Sequence, residues 1–201
     1  MSPLTDVHDS IQQARQMEGP PWTPPWSSFA EFFSARVHHP AMSDRPFLTY
    51  YDDERDIYRR YTYARFGRAV EQAAIFLHHR LGLTAGDRIA TVLFNHDQTV
   101  VLYFAAWTLG LAVVPINVEE PVEKKRYILE HSEAVAVCCW PAYLEEVRSL
   151  QQDLPALHHV VTVTDEGLGH GEGQGVRSEG QKSIPPSRLS PRASRLEDEA
   201  L

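Results

Sequence analysis

The chain has 201 residues, of which 43% are hydrophobic and 23% charged, and a net charge of −8. That length and balance suit a folded globular domain with a real core. The acidic excess argues against partners read through a basic face, so neither nucleic acid nor an anionic membrane surface is expected; a small anion held by a few local donors stays open.

Residues 1–27 read as an arm. EGPPWTPPWSS is rich in proline and should be extended, with Trp22 and Trp26 packing onto the domain surface. The opening MSPLTDVHDS has neither the basic nor the apolar region of a secretory leader, and a cytoplasmic location is expected. From Phe29 the chain becomes regular. FAEFFSARVHHP suggests a helix ended by Pro40, and PFLTYYDD with YRRYTY suggests a hairpin. Phe66, Val70, Ala73, Ala74, Leu77 and Leu81 then follow helical spacing, and Gly82 is placed to end that helix.

Strand and helix alternate beyond this point. RIATVLF, AVVPI, AVAVCCW and HHVVTVT read as buried strands, separated by DQTVVLYFAAWTLG, PVEKKRYILEHS and PAYLEEVRSLQQDL as helices. The strands lack inside–outside alternation, as strands covered on both faces do. The fold class expected over 28–164 is therefore α/β, a mostly parallel sheet with helices on both faces. TVVLYFAAWTLGLAVVPI is apolar enough to be weighed as a membrane span, but Gly110 and Pro115 interrupt it, and a buried helix running into a buried strand is expected instead. Residues 165–201 are rich in Gly, Ser, Pro and charge, have no period, and read as a flexible, disordered connection.

Local chemistry is sparse. GVRSEGQKS approaches a phosphate loop, but Gln181 is one residue too many, no strand precedes it, and Pro185-Pro186 oppose a helix behind it. The pairs His38-His39, His78-His79 and His158-His159 do not make metal claws, because sequence neighbours on a helix do not face one another. Cys138 and Cys139 point to opposite faces of one strand, so no bridge is implied and a reducing compartment fits. Asn95 and Asn117 come directly after strand ends, where open parallel sheets bind ligands, yet helix capping or a turn explains each more simply. From the residues alone no catalytic or metal constellation emerges.

Three pieces in order resemble the amino-terminal part of the adenylate-forming (AMP-binding) superfamily, and within it the AMP-dependent acyl-CoA synthetases. YTYARFGRAVEQAAIFLHHRLGLTAGDRIATVLFN resembles its first core stretch, T-Y-x-E-L, a helix, then G-D-x-V and a strand ending in Asn; Thr62, Tyr63, Gly86, Asp87 and Asn95 match. AAWTLGLAVVPIN resembles the next stretch through Gly110, Pro115 and Asn117, and RYILEHSEAVAV resembles the helix and strand that come after it in the family. Arg65 replaces the usual Glu, which removes half of a capping box, and Thr108 replaces a usual Lys.

The resemblance implies a two-step ligase that activates a carboxylic acid, most simply a fatty acid, with ATP and Mg²⁺ and passes it to coenzyme A. It assigns no catalytic residue here: the matching positions are scaffold. LEDEAL resembles the start of the segment that leads into the family's ATP-phosphate loop. The chain alone is therefore expected to bind none of these cofactors and to be inactive. Three forms stay open: a ligase cut before its nucleotide segment, half of a split ligase with a complementary carboxy-terminal polypeptide, or a non-catalytic binding module.

Overall fold

The computed structural model describes residues 23–170 and 174–175. Helix α1 (Phe29–Val37) starts where the Ser28 hydroxyl accepts the Glu31 N–H, and Glu31 reaches back to the Ser27 N–H at 2.7 Å. Trp26 packs edge-on against Phe32 of this helix; Trp22 lies outside the described residues. Strands β1 (Pro46–Asp52) and β2 (Ile57–Thr62) form the expected antiparallel hairpin. Helix α2 (Tyr63–Ile75) comes next, capped by Thr62, whose hydroxyl accepts the Arg65 N–H at 3.2 Å. One half of the capping box thus persists, while the Arg65 guanidinium turns back to the Arg60 carbonyl. The helix widens into a π turn over Phe76–Arg80 and stops at Gly82, whose φ of +70° suits glycine.

Four parallel strands make the body of the sheet: β3 (Arg88–Val92), β4 (Ala112–Ile116), β5 (Ala136–Cys139) and β6 (His159–Thr164). Helices α3 (Asp97–Thr108), α4 (Val122–Ser132) and α5 (Leu144–Gln151) connect them. The apolar run at residues 99–116 is split between α3 and β4, and no helix among the described residues is long and apolar enough to cross a membrane. The sheet continues antiparallel through β7 (Gly167–His170) and β8 (Gln174–Gly175), in the order β4-β3-β5-β6-β7-β8. The strand β7 corrects the expectation that order ends at Asp165. A turn closed by the Thr164 side chain, which accepts the Glu166 N–H, folds the chain back onto β6.

Two cores lie on the two faces. One gathers α1, α2 and α3 around Phe33, Phe66, Leu77 and Leu102; the other gathers α4 and α5 around Leu129, Val147 and Leu150. Adjacent Cys138 and Cys139 fall one in each core, as strand geometry requires. Both thiols are free and fully buried, and burial pushes that of Cys139 up to about 12 and that of Cys138 higher still. Neither is a nucleophile at neutral pH.

Candidate functional site

The residues singled out in the sequence fall into two groups at opposite ends of the strands. Gly86, Asp87 and Gly110 meet at the amino-terminal end. The Gly86 N–H donates to the Gly110 carbonyl at 3.0 Å, and the Asp87 carbonyl accepts the Ala112 N–H at 2.9 Å. The Asp87 carboxylate closes its own turn by accepting the Thr84 N–H at 2.7 Å. Both glycines have positive φ, and a Cβ on Gly110 would stand 3.1 Å from that of Ala85. These groups set the register between β3 and β4. Thr62 and Tyr63 open α2, with the Tyr63 ring 4.8 Å from Phe47. Pro115 lies within β4.

Asn95 and Asn117 reach the carboxyl ends of neighbouring strands, and both are exposed. Asn117 closes a turn, its Oδ1 accepting the Glu119 N–H at 3.1 Å. Asn95 is not the cap of α3. His96 takes that place, its Nδ1 accepting the Gln98 N–H at 3.2 Å. A lone His after a strand carries no capping signal of its own, so the sequence pointed one residue too early.

The structure adds a cluster that sequence reasoning missed. Asp97, the first residue of α3, is 1% exposed. Its Oδ1 accepts from the Arg59 guanidinium at 2.9 Å and its Oδ2 from the Tyr61 hydroxyl at 2.6 Å, both from β2. Arg59 also reaches Asp165 Oδ1 at 3.2 Å, in the turn behind β6, and Arg55 in the hairpin turn binds the same carboxylate. His96 Nε2 stands 2.9 Å from Asp165 Oδ1. With the ring proton on Nε2, His96 donates to Asp165 and still accepts the Gln98 N–H. Its Nδ1 also lies 3.0 Å from Asp97 Oδ1, and a proton on Nδ1 makes that contact a hydrogen bond to the carboxylate in place of the one accepted from the Gln98 N–H.

The electrostatics arise from these contacts. Burial pushes the Asp97 carboxyl up, but hydrogen bonds from His96 and Tyr61 and the Arg59 charge outweigh it and hold it below the usual carboxylate range. Asp165 is likewise raised by burial, then drawn down to about 2 by hydrogen bonds from Arg55, His96 and Arg59. Burial and the adjacent Asp97 charge raise the Tyr61 phenol far above its ordinary value. The charged groups of the cluster are therefore paired with one another. The cluster ties the hairpin, the start of α3 and the end of β6 into one unit, and it leaves no free nucleophile–base pair.

The strand order reverses between β3 and β5, the place where an open parallel sheet offers its ligand crevice. Here aromatic rings fill it: Phe94 lies 6.5 Å from Trp140 and 5.8 Å from Tyr143, and His96 lies 5.1 Å from Trp140. Beside the ionic cluster, between β1 and α3, a cleft of about 490 Å³ remains open. Among the described residues no group of three or more His, Cys, Asp or Glu is placed to hold a metal ion. The segment GVRSEGQKS, apart from Gly175, lies outside the described residues, as does LEDEAL.

Residues 35–198 match the family described as AMP-binding enzyme. The crotonobetaine/carnitine–CoA ligase of Salmonella paratyphi B is 27% identical over 120 residues, covering 57% of this chain and 23% of that protein. Its Escherichia coli counterpart is 27% identical over 118 residues, 58% of this chain and 22% of that one. The chain thus spans less than a quarter of the length of these curated relatives. Among solved structures, an anthranilate CoA ligase in complex with anthranoyl-AMP superposes with a TM-score of 0.60 at 20% identity, covering 70% of this chain and 26% of that one. A fatty acyl CoA synthetase of Mycobacterium tuberculosis gives 0.56 at 21% identity, covering 67% and 26%. These likenesses agree with the α/β fold seen here.

Proposed function

Because the chain belongs to the AMP-binding enzyme family, we propose that it is the amino-terminal part of an AMP-forming acid–CoA ligase. The observation that carries this reading is the family match over residues 35–198, which takes in the hairpin, α2 and all four parallel strands in order. In the proposed reaction a carboxylate oxygen attacks the α-phosphorus of ATP, and pyrophosphate leaves. The coenzyme A sulfur then attacks the acyl carbon, and AMP leaves. We put forward a fatty acid as the substrate and the cytoplasm as the location, on the resemblance and on the two unpaired, reduced cysteines.

The described residues contribute scaffold to this chemistry. Mg²⁺ takes carboxylates together with substrate phosphates, and polyphosphate needs free cations or converging N–H groups. Asp97 and Asp165 are consumed by Arg59, Arg55 and His96, and those guanidiniums are consumed in turn. Asp97 and Asp165 therefore do not fit a Mg²⁺ site, and no catalytic step is drawn through them. The remainder of such a ligase, on the same or a complementary polypeptide, would supply those groups.

A chimera tests the assignment. Residues 29–170 replace the corresponding stretch of the Salmonella crotonobetaine/carnitine–CoA ligase, and ATP-dependent acyl-CoA formation is measured. A chimera that folds, by circular dichroism, and forms the thioester supports the scaffold role; a folded chimera without activity overturns it. The 201-residue chain alone is expected to release no pyrophosphate with ATP and any of a panel of fatty or aromatic acids. Acid-dependent release by the pure chain would contradict that expectation.

A further inference from the structure

Helices α1 and α2 meet most closely where Gly67 lies against Val37. Beside that contact they leave an open trough of about 360 Å³. Ala30, Phe33 and Val37 line it from α1, and Val70, Ala74 and Ile75 from α2. Phe33 and Val70 are buried beneath it, while Ile75 is 51% exposed, unusual for an aliphatic side chain with no cover. The polar residues that border it, Ser34, Arg68 and Glu71 among them, are exposed, so what the trough offers inside is apolar surface. Lining residues three and four apart on each wall give two helical ridges with a hollow between them, a shape that receives a third helix.

We propose that this trough is the docking site of the chain's own amino-terminal segment, residues 4–17, seated as an amphipathic helix. That segment lies outside the described residues; its sequence carries the complementary pattern. Leu4, Val7, Ile11 and Ala14 recur at three- and four-residue intervals, which is one stripe on a helix. Asp6, Asp9, Gln13 and Gln16 fall on the opposite side. Pro3 suits a first helical position, and Gly19-Pro20-Pro21 suits a stop. A helix this short is marginal in water by itself and needs an apolar partner for its stripe.

The tether selects the trough. The described chain begins at Thr23, and Trp26 is fixed against Phe32 of α1, 4.8 Å between ring centroids. The steps from Met17 to Thr23 span up to about 20 Å, enough to cross a helix about 10 Å wide. The trough begins at Ala30, in the first turn of α1, so its near wall is the helix that holds the tether. The cleft between β1 and α3 is also close, but an apolar stripe there would take water from exposed Asn95 without giving it a partner.

The test uses the 201-residue chain carrying Ile75→Cys, with N-ethylmaleimide as the probe and intact mass as the readout. Cys138 and Cys139 are fully buried and do not compete. Ile11→Asp, on the apolar stripe, should speed labelling at position 75 about tenfold, because a charge in the trough undocks the segment. Gln16→Asp adds the same charge on the opposite face and should change the rate less than about twofold. Ser34→Cys, on the α1 wall, gives the same reading if Ile75→Cys does not fold. Equal rates with and without Ile11→Asp would overturn the proposal. So would an Ile11→Asp effect that Gln16→Asp matches. Protection that fades on dilution would overturn it too, since the covering segment would then belong to a second copy of the chain.

Discussion

Asp97 is charged at 1% exposure, which is tolerable only because three side chains converge on it. Asp97→Ala would strand Arg59, whose side chain is 11% exposed, with only its longer contact to Asp165. A loss of about 3 kcal/mol is expected in urea unfolding, the low end for a broken buried pair because Asp165 remains. Protonation should act in the same direction. The folded-state pKa of Asp165 is about 2, below its ordinary value of 3.8. A depressed carboxyl contributes stability that is fully present above its unfolded pKa and is lost as pH falls from about 4 through about 2. Asp97, also depressed, adds to that loss. Thermal midpoints measured between pH 5 and pH 2 should therefore fall less steeply in Asp165→Asn than in the parent; parallel curves would remove Asp165 from the account. None of this was legible in the sequence. Arg55 and Asp165 are 110 residues apart, and Arg59 and Asp97 are 38 apart. Each is by itself an ordinary surface-type residue, and only the folded chain brings them together.

Helix α2 shows what local pattern does and does not reveal. Its apolar stripe marks the buried face correctly: Phe66, Val70, Ala73 and Ala74 are buried against α1 and α3. Gly67 sends no signal through the sequence, since a mid-helix glycine carries no period. Its reason is contact. A Cβ there would lie 2.5 Å from Cγ1 and 2.9 Å from Cγ2 of Val37, at the end of α1. Valine is stiff at χ1, so it cannot swing aside. Gly67→Ala should therefore cost about 1–2 kcal/mol, the overpacking strain exceeding the gain in helix propensity. In a Val37→Ala background the same change should become neutral or stabilising, and a double-mutant cycle reads the coupling directly. Additive effects would show that the two helices do not press on one another there. The parallel strands were legible for the opposite reason. Covered on both faces, they are continuously apolar, and the helices between them restart the count each time. Strand β7, Gly-Leu-Gly-His, has no such signature and is held by pairing with β6.

At the scale of the whole molecule, the alternation of strand and helix places β4 at the edge of the sheet, and among the described residues no further strand pairs with it. An open parallel edge is a template for association. Proline inside a strand normally argues against that strand, yet Pro115 sits in β4 without breaking it. The ladder explains why. The Ala112 N–H points to the Asp87 carbonyl just before β3, so the backbone N–H groups of Val114 and Ile116 also face β3, and positions 113 and 115 turn their backbone nitrogens to the free edge. The donor that proline lacks is one the sheet never used. Its absence falls on the free edge, where it removes a hydrogen bond that a second chain would need. Pro115→Val should therefore leave the fold intact, with unchanged far-ultraviolet circular dichroism, while restoring that donor and adding a residue with high strand preference. The expected result is more self-association of the 201-residue chain, read as a rise in weight-average mass by light scattering at equal concentration. A Pro115→Val chain that stays as monomeric as its parent would mean that something other than the missing donor protects this edge.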